Sequence, residues 1–374
     1  MRAVLSEVRS IDTGGSPVHI GSGSLGALAA YLKDLPSATR CFILGDETTV
    51  GQCLPELRSA VPMLADTEVL SVPAGESSKS ISCCQHLWTE LSDHAADRTA
   101  ILINLGGGVV TDLGGFVAAT YKRGIRSINI PTTLMGMVDA SIGGKTGIDL
   151  SGVKNIVGAF HDPIATYIHV PFLRTLGKRE LLNGVAEMLK HALIQDADHW
   201  RAIKRAPLHD IGSLLALIER SVNIKAAVVK EDPREKGIRK LLNFGHTIGH
   251  GIEAFSWEGP HRALLHGEAV ALGMICEAWL SWRMGLLDRE AYDEISTFLF
   301  SLYRPYPLES TGHHRILELM RNDKKNSEGQ FRPTLITAIG KGEIDVRVSA
   351  AQIQEALEHY RSTVQMMKRV DGQP

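Results

Sequence analysis

The sequence has few cysteines, no excess of charge and no long apolar run, and each absence excludes a class of protein. Five cysteines in 374 residues form no Cys-x-x-Cys pair, and their odd number favours reduced thiols over a disulfide framework. A net charge of −2 argues against a nucleic-acid partner. No apolar run reaches membrane-spanning length, and the charged residues among the first thirteen are unlike a secretory signal. We therefore expect a cytoplasmic protein without membrane or nucleic-acid partners.

The pattern of apolar residues divides the chain into two parts. Short β-rich runs alternate with helical stretches in the first part, which predicts a largely parallel α/β sheet. The predicted strands cover residues 41–48, 67–76, 100–108, 128–133 and 166–171. Apolar residues then recur at three- and four-residue spacings, as in helices, and only residues 332–340 favour another strand. The sequence thus predicts an α/β domain over residues 1–171 and a mostly helical domain over residues 172–374.

A glycine-rich turn, Gly106–Gly108, lies between a predicted strand and a predicted helix. At this position in an α/β sheet, glycines let the backbone N–H groups and the helix N-terminus approach a pyrophosphate. Loops after other predicted strands supply Asp46, Glu76 and Lys79, which suit ribose hydroxyls and phosphates. The pattern indicates a dinucleotide site. A tight turn without a ligand is the alternative, because the G-x-G-x-x-G fingerprint is absent.

Two histidines, His246 and His250, are four residues apart, which puts them on one helix face. No glutamate stands between them, so the H-E-x-x-H motif of metalloproteases is absent. Glu187 on an apolar helix is costly unless it is paired or bound to a cation. Glu187, His246 and His266 would leave a zinc-type ion with open positions, and such an ion polarises a substrate hydroxyl. The alternative is that these residues are ordinary core or surface residues that do not converge.

Basic residues in glycine-rich or apolar segments form a further pattern, which suggests an anionic substrate. These residues are Lys145, Lys154, Lys190, Lys225, Arg239 and Lys324. The alternative for any one of them is a solvated surface position. A dinucleotide site, a catalytic metal and an anion pocket in one chain indicate redox chemistry on a phosphorylated or carboxylated polyol.

Several separated motifs resemble the 3-dehydroquinate synthase family. They are GGGVVTDLGGFVAATYKRG, IPTTLMGMVDASIGGKTGID, KNIVGAF, NGVAEMLKHALI, LLNFGHTIGHGIE and LHGEAVALGM. The resemblance runs from about residue 40 to 345. It implies a Rossmann-like N-terminal domain, a mostly α-helical C-terminal domain, an active site in the cleft between them, and a homodimer.

The resemblance also implies an activity. The substrate would be 3-deoxy-D-arabino-heptulosonate 7-phosphate, a phosphorylated carboxylate, and the cofactors NAD and a divalent metal, zinc or cobalt. The implied reaction is a transient oxidation by NAD, β-elimination of phosphate, re-reduction, ring opening and an intramolecular aldol closure. The enzyme would therefore be a phosphate lyase of the shikimate pathway, which supplies aromatic amino acids.

The resemblance assigns roles to individual residues. The metal ligands would be Glu187, His246 and His266. The substrate carboxylate would be held by Lys225 and Arg239. Residues implied to hold the substrate phosphate are Lys145, Asn155, Asn243, His250, Lys324 and, from the other subunit, Arg123. Residues implied to contact NAD are Asp46, Glu76, Lys79, Gly106, Gly107, Gly108, Asp112, Thr132, Thr133, Lys145 and Lys154. Asp139 and Lys190 would line the substrate hydroxyls.

The sequence leaves three alternatives open. Another sugar phosphate cyclase, such as a 2-epi-5-epi-valiolone or 2-deoxy-scyllo-inosose synthase, would act on a substrate without the carboxylate and would not need the Lys225 and Arg239 pair in this form. A metal-dependent polyol dehydrogenase of the glycerol dehydrogenase kind would release NADH and have no use for so many lysines. A dinucleotide-binding regulatory module would leave the metal set unexplained.

Overall fold

The computed structural model describes residues 8–150, 153–321 and 330–370. These residues form two compact units. The first contains the described chain up to Gly184 together with Pro207–Lys230, and the second contains Val185–Ala206 together with the described chain from Glu231 onward. The predicted division between residues 171 and 172, and the predicted cleft site, stay predictions. No helix in these ranges is both long and apolar enough to cross a membrane.

A seven-stranded, largely parallel sheet forms the centre of the first unit. The strands of this unit are β1 (Arg9–Ile11), β2 (Val18–Ile20), β3 (Cys41–Asp46), β4 (Glu68–Val72), β5 (Ile101–Gly106), β6 (Arg126–Pro131), β7 (Lys145–Leu150), β8 (Val153–Phe160) and β9 (Thr166–Ile168). The sheet order is β1-β2-β9-β6-β5-β3-β4, and only β1 and β2 are antiparallel to each other. The strands predicted in the first half, β3, β4, β5, β6 and β9, are confirmed.

Helices of the first unit alternate with these strands. In chain order the helices up to the end of this unit are α1 (Ser24–Lys33), α2 (Glu47–Gln52), α3 (Leu54–Ala60), α4 (Ile81–Asp93), α5 (Gly108–Thr120), α6 (Lys178–Gln195), α7 (Ala197–Arg205) and α8 (Ile211–Glu231). Of these, α7 belongs to the second unit, and α6 passes from the first unit into the second. Leu87 of α4 and Leu113 of α5 are fully buried in one apolar cluster with Leu44 and Leu102 of the sheet. Because the sheet is buried in this way, the sequences of its strands are nearly continuous apolar runs.

A hairpin of β7 and β8 lies outside the seven-stranded sheet, and the sequence did not predict it. Its residues do not alternate between apolar and polar, so the usual strand signal is missing. Two glycines replace that signal. A Cβ atom would lie 2.9 Å from the Val157 carbonyl oxygen at Gly147 and 2.4 Å from the Thr146 carbonyl oxygen at Gly158. The two strands therefore approach more closely than side chains at these positions would allow.

The helix α8 belongs to the first unit although it follows residues of the second. The Glu219 carboxylate lies 2.6 Å from Arg9 Nη1, just at the start of β1. Lys230 Nζ lies 2.7 Å from the Asp12 carboxylate. Both contacts join α8 to the first described residues of the chain.

The second unit is mostly helical, as predicted. Besides α7 and the end of α6, its helices are α9 (His246–Glu258), α10 (His266–Arg283), α11 (Arg289–Leu302), α12 (Gly312–Arg321) and α13 (Ala350–Val370). Its strands are β10 (Gln330–Phe331), β11 (Leu335–Ala338), β12 (Lys341–Glu343) and β13 (Val348–Ser349). β10 pairs with β13 and β11 with β12, both antiparallel. The strand predicted in residues 332–340 is β11, whereas the others are too short for a periodic pattern.

Helices α9 and α10 cross at glycines. A Cβ atom on Gly273 would lie 1.9 Å from the Gly245 carbonyl oxygen and 2.7 Å from the Gly249 amide nitrogen. A Cβ atom on Gly249 would lie 2.9 Å from the Ala269 carbonyl oxygen. The two backbones are therefore in contact, and this fixes the two helices that begin with His246 and His266.

Candidate active site

The glycine-rich turn of the first unit leads from β5 directly into α5. Gly106 ends β5, Gly107 is the N-cap and Gly108 is the first helical residue. A Cβ atom would lie 2.5 Å from the Val110 side chain at Gly106 and 2.9 Å from the Thr133 side chain at Gly107. Only glycine fits both positions without a shift, and the N–H groups at the start of α5 suit an anion.

This turn lies at the switch point of the parallel sheet. β3 and β5 are adjacent, while β4 pairs with β3 on one side and β6 pairs with β5 on the other. Parallel α/β sheets bind ligands at the carboxyl ends of such strands. Asp46 ends β3 at this edge, and its carboxylate accepts the Thr49 N–H at 2.8 Å. Thr132, directly after β6, donates its N–H to the Gly106 carbonyl at 3.0 Å.

Five of the predicted dinucleotide and phosphate residues form one polar network. Lys79 Nζ lies 2.9 Å from the Asp112 carboxylate, 2.6 Å from the Asn155 side-chain oxygen and 3.6 Å from the Glu76 carboxylate. Lys154 Nζ lies 3.5 Å from the same Glu76 oxygen. Burial alone would lower the pKa of Lys79, but Asp112 and Glu76 outweigh it and raise that pKa. The network therefore keeps Lys79 charged beside α5, the helix that begins at the glycine-rich turn.

Asp139 and Lys225, which the resemblance assigns to the substrate, are in direct contact within the first unit. Asp139 lies in a short π-helix, Gly136–Ala140, a feature that often marks functional sites. Lys225 Nζ of α8 donates to the Asp139 carboxylate at 2.7 Å and to its carbonyl oxygen at 2.5 Å. The ammonium group of Lys225 is therefore buried and held against Asp139.

The structure brings the three predicted metal ligands of the second unit together. Glu187 of α6 is completely buried, and one of its carboxylate oxygens, Oε1, lies 3.6 Å from His246 Nε2 and 3.5 Å from His266 Nε2. The other oxygen lies 2.5 Å from Lys190 Nζ. Lys190, one helical turn along α6, is also buried and offsets part of the negative charge.

The other ring nitrogen of each histidine has its own acceptor. His266 Nδ1 lies 3.2 Å from the Glu253 carboxylate of α9, and His246 Nδ1 lies 3.1 Å from the Phe244 carbonyl oxygen. Such contacts place the ring proton on Nδ1 and turn Nε2 toward the metal in metal-binding histidines. Both Nε2 atoms here face Glu187. The three ligand side chains, and the groups that orient the two imidazoles, therefore both fit a divalent metal.

The distances agree with this fit. A tetrahedral zinc ion with nitrogen and oxygen ligands at about 2.1 Å places neighbouring ligand atoms about 3.4 Å apart. The separations of 3.5 and 3.6 Å from Glu187 to the two imidazoles are close to this value. His250 is also near: its ring centroid lies 5.2 Å from that of His246 and 5.6 Å from that of His266. His250 is the most exposed of the three histidines and could face a substrate or the ion.

The surroundings shift the pKa values of the two histidines in opposite directions. Burial, together with the Lys190 charge, lowers the pKa of His246 well below its usual value. Burial also opposes protonation of His266, but the carboxylates of Glu253 and Glu187 outweigh it and raise the pKa of His266 to about 10. A metal ion bound to His266 Nε2 would therefore replace a proton.

The segment before α9 holds Arg239 and Asn243. The Asp232 carboxylate accepts the backbone N–H groups of Gly237 and Arg239 at 2.7 and 3.1 Å. Arg239 is buried, and its Nη1 donates to the Pro233 carbonyl at 2.7 Å. Asn243 Nδ2 donates to the Glu235 carboxylate at 2.7 Å, and Glu235 has a left-handed φ of 57°. The loop is thus ordered around the two predicted substrate residues.

The remaining predicted site residues lie at the following places in the chain, and sequence reasoning missed some others. Lys145 is the first residue of β7, and Arg123 is exposed in the turn after α5. Lys324 lies outside the described residues. Sequence reasoning missed Glu253 and Glu235, whose contacts with His266 and Asn243 depend on the folded geometry and have no motif of their own. It also missed Glu277, a carboxylate inside the apolar helix α10, although this is the signal that identified Glu187.

Comparison with known protein families gives two consecutive matches. The chain matches 3-dehydroquinate synthase N-terminal over residues 69–183 and 3-dehydroquinate synthase C-terminal over residues 184–326. It is 41% identical over 344 residues to a 3-dehydroquinate synthase from Parabacteroides distasonis, covering 90% of this chain and 96% of that relative. Together these matches extend over almost the whole chain.

Solved structures of sugar phosphate cyclases have a similar fold. One is a 2-deoxy-scyllo-inosose synthase complexed with carbaglucose-6-phosphate, NAD+ and Co2+, with a TM-score of 0.83, 23% identity, and coverage of 94% of this chain and 100% of that chain. Another is a 2-epi-5-epi-valiolone synthase from Streptomyces hygroscopicus subsp. jinggangensis 5008 with NAD+ and Zn2+ bound. It has a TM-score of 0.80, 27% identity, and coverage of 96% and 99%. These likenesses confirm the predicted fold class.

Proposed function

We propose that this chain, which belongs to the 3-dehydroquinate synthase family, converts 3-deoxy-D-arabino-heptulosonate 7-phosphate into 3-dehydroquinate and phosphate. The observation that carries the proposal is the match of residues 69–183 and 184–326, in order, to the N-terminal and C-terminal parts of that family. The enzyme is a phosphate lyase of the shikimate pathway, which leads to aromatic amino acids. The family resemblance of the sequence motifs is confirmed by these matches.

Glu187, His246 and His266 would hold the divalent metal, zinc or cobalt. Their convergence and the Nδ1 contacts of both histidines support this assignment. The bound metal would polarise a substrate hydroxyl and lower its pKa. Histidine and glutamate ligands suit both metals, so the donor set does not choose between zinc and cobalt. Glu253 would keep the His266 ring oriented, and Lys190 would balance the Glu187 charge.

The first unit would bind NAD. The residues that would contact it are Asp46, Glu76, Lys79, Gly106, Gly107, Gly108, Asp112, Thr132, Thr133, Lys145 and Lys154. The support is the position of the glycine-rich turn at the switch point of the sheet and the Lys79 network beside it. NAD would take a hydride from the substrate and return it later in the same turnover. The helix N-terminus of α5 would hold the pyrophosphate.

Fixed cations would hold the two anionic ends of the substrate. Lys225 and Arg239 would bind the carboxylate, since Arg can do so through two parallel hydrogen bonds. The residues that would bind the phosphate are Lys145, Asn155, Asn243, His250 and Lys324. Asp139 and Lys190 would line the hydroxyls. These residues would hold each intermediate in the reactive geometry between steps. The entropy cost of orienting the reacting groups is then met on binding and does not add to the barrier.

The active form would be a homodimer in which Arg123 reaches the phosphate of the partner subunit. The backbone around Arg123 supports this role. Lys122 and Arg123 have left-handed φ angles of 49° and 69°, and Gly124 follows with a φ of 116°. Left-handed φ angles at non-glycine residues cost free energy and cluster where a side chain is held for a function. The strained turn presents Arg123 at the surface of the protomer.

We place the enzyme in the cytoplasm. The support is its cysteine chemistry: all five cysteines are free, and the buried ones have pKa values raised by their surroundings. Burial raises the pKa of Cys53 to about 11 and that of Cys84 to about 12. Thiols of this kind are inert and do not need an oxidising compartment.

The competing candidate is a cyclase that uses sedoheptulose 7-phosphate. Two cyclases of other kinds, a 2-deoxy-scyllo-inosose synthase and a 2-epi-5-epi-valiolone synthase, share the fold. Likeness at 23% identity concerns the fold alone, however, whereas the sequence matches favour the 3-dehydroquinate synthase family. A polyol dehydrogenase is the other candidate, and it would release NADH.

A turnover assay distinguishes these candidates. The protein is supplied with zinc, a catalytic amount of NAD and 3-deoxy-D-arabino-heptulosonate 7-phosphate, and phosphate and 3-dehydroquinate are measured together. We expect equal amounts of both products without accumulated NADH. Sedoheptulose 7-phosphate is the control substrate. Turnover of this substrate alone would move the protein to the other cyclases, and stoichiometric NADH would indicate a dehydrogenase.

A further inference from the structure

Helix α9, which begins with His246, has no N-cap side chain of its own. Its N-cap is Gly245, with a left-handed φ of 79° and no side chain to accept a hydrogen bond. The first backbone N–H groups of a helix have no partner within the helix, so they need an acceptor from elsewhere. His246 is the first residue of α9, so the position of the first turn sets the position of its ring.

Glu277 of α10 supplies the missing acceptors. Its Oε2 accepts the Gly245 N–H at 2.6 Å, and its Oε1 accepts the Ile248 N–H at 3.0 Å. The side chain is completely buried. Burial raises the pKa of Glu277, whereas the backbone N–H groups of Ile248, Gly245 and Thr247 act in the opposite direction because they favour the carboxylate form. Glu277 is not among the residues to which the proposed reaction gives a role.

The glycine crossing explains how Glu277 reaches this turn. A Cβ atom on Gly273 would lie 1.9 Å from the Gly245 carbonyl oxygen, so the α10 backbone touches the N-cap of α9 at that point. Glu277 lies one helical turn further along α10. The same helix begins with His266. Glu277 therefore joins the helix that carries one proposed metal ligand to the start of the helix that carries another.

We infer that Glu277 is a positioning residue that fixes the first turn of α9 and thereby sets His246 against His266 and Glu187. The inference rests on the proposed metal site. A buried carboxylate is costly, and an apolar side chain would pack more favourably inside α10. Only a carboxylate of this length provides two acceptors here for the turn that holds His246. Its loss should therefore loosen metal binding as well as lower stability.

The test is the metal dissociation constant of Glu277→Gln in the full-length protein. Zinc and cobalt are titrated separately in competition with a chromophoric chelator, and the visible spectrum of the cobalt form is recorded. We expect binding about 10- to 100-fold weaker than in the wild type, the range found when groups that orient metal ligands are removed. We also expect an altered cobalt spectrum. Glu277→Asp, which keeps the charge but is shorter, should show the same changes to a smaller degree and serves if the Gln variant does not fold.

A matched control removes a helix cap without metal ligands nearby. The Asp288 carboxylate accepts the Ala291 N–H at 2.6 Å and caps α11. Asp288→Ala should lower the melting temperature but leave the metal dissociation constant and the cobalt spectrum unchanged. Wild-type metal affinity and spectrum in the Glu277 variants, with only a lower melting temperature, would overturn the inference and leave the proposed function intact. If Glu187→Gln binds metal as tightly as the wild type, Glu187 is not a ligand, and the proposed metal site and this inference are overturned together.

Discussion

In the first unit the charged residues proposed to bind NAD are paired with one another, whereas in the second unit the proposed metal ligands converge on one carboxylate oxygen. Lys79 already has Asp112 and Asn155 as partners, and the N–H groups at the start of α5, whose N-cap Gly107 has no side-chain cap, would complete the site. The second site consists of side chains from three helices, and the groups behind each imidazole leave Nε2 facing Glu187. The first proposed site thus combines backbone N–H groups with paired side chains, whereas the second consists of side chains that would surround a cation.

The largest expected effect is the loss of the metal through Glu187→Gln. The neutral amide cannot provide the anionic oxygen on which both histidines converge, so we expect metal binding at least about 100-fold weaker and activity at least about 1,000-fold lower. Metal content after dialysis and kcat with saturating NAD measure these effects. Glu180→Gln, at an exposed position on the same helix, is the control and should change neither. Full activity with undiminished metal would remove Glu187 from the ligand set.

The next effect concerns Lys225 and Arg239, the residues proposed to bind the substrate carboxylate. Arg239→Lys keeps the charge but loses the two parallel donors, so we expect KM for the substrate to rise about 10- to 100-fold. NAD affinity should stay unchanged, because the NAD residues belong to the first unit. Steady-state kinetics and NAD titration measure the two quantities, with Arg347→Lys at an exposed position as the control. An unchanged KM would count against the role of Arg239 in binding the substrate carboxylate.

The metal site should also be sensitive to pH. His266 is protonated below a pKa of about 10 in the metal-free protein, and a metal ion must displace that proton. Metal affinity should therefore rise with pH, about tenfold per unit between pH 7 and 9, and fall as the solution is acidified. Calorimetric titrations in buffers of different ionisation enthalpy would count the released proton. Glu253→Gln removes a carboxylate that raises this pKa, so a dependence as steep as in the wild type would contradict the assignment.

The smallest effect is expected at the glycine-rich turn. In Gly107→Ala the new methyl group would lie 2.9 Å from the Thr133 side chain, which must move by a few tenths of an ångström. We expect NAD affinity to fall about three- to tenfold, since such overpacking costs about 1 kcal/mol. Metal affinity should not change. The control is Gly26→Ala in α1, where a Cβ atom meets nothing within 4 Å. Equal NAD affinity in the two variants would argue against close backbone contact with the cofactor.

The sequence predicted those features that depend on local pattern. Buried parallel strands appear as continuous apolar runs, and histidines four residues apart on a helix share a face, as His246 and His250 do. Glu187 was identifiable because a carboxylate on an apolar helix needs a partner. The same physical argument applied to Glu277, but its partners are backbone N–H groups of another helix, which sequence does not reveal. The positive φ angles at Lys122 and Arg123 were equally hidden, since neither residue type indicates a left-handed turn.

The return of α8 to the first unit bears on how the chain folds during synthesis. Residues 185–206 of the second unit are translated before Pro207–Lys230, which complete the first. A nascent chain that ends near Gly184 still lacks Glu219 and Lys230, the partners of Arg9 and Asp12, and lacks Lys225, the partner of Asp139. Domains usually fold in order as they leave the ribosome. Here the N-terminal unit must wait for about fifty further residues, and at 5–20 residues per second this delay lasts roughly three to ten seconds.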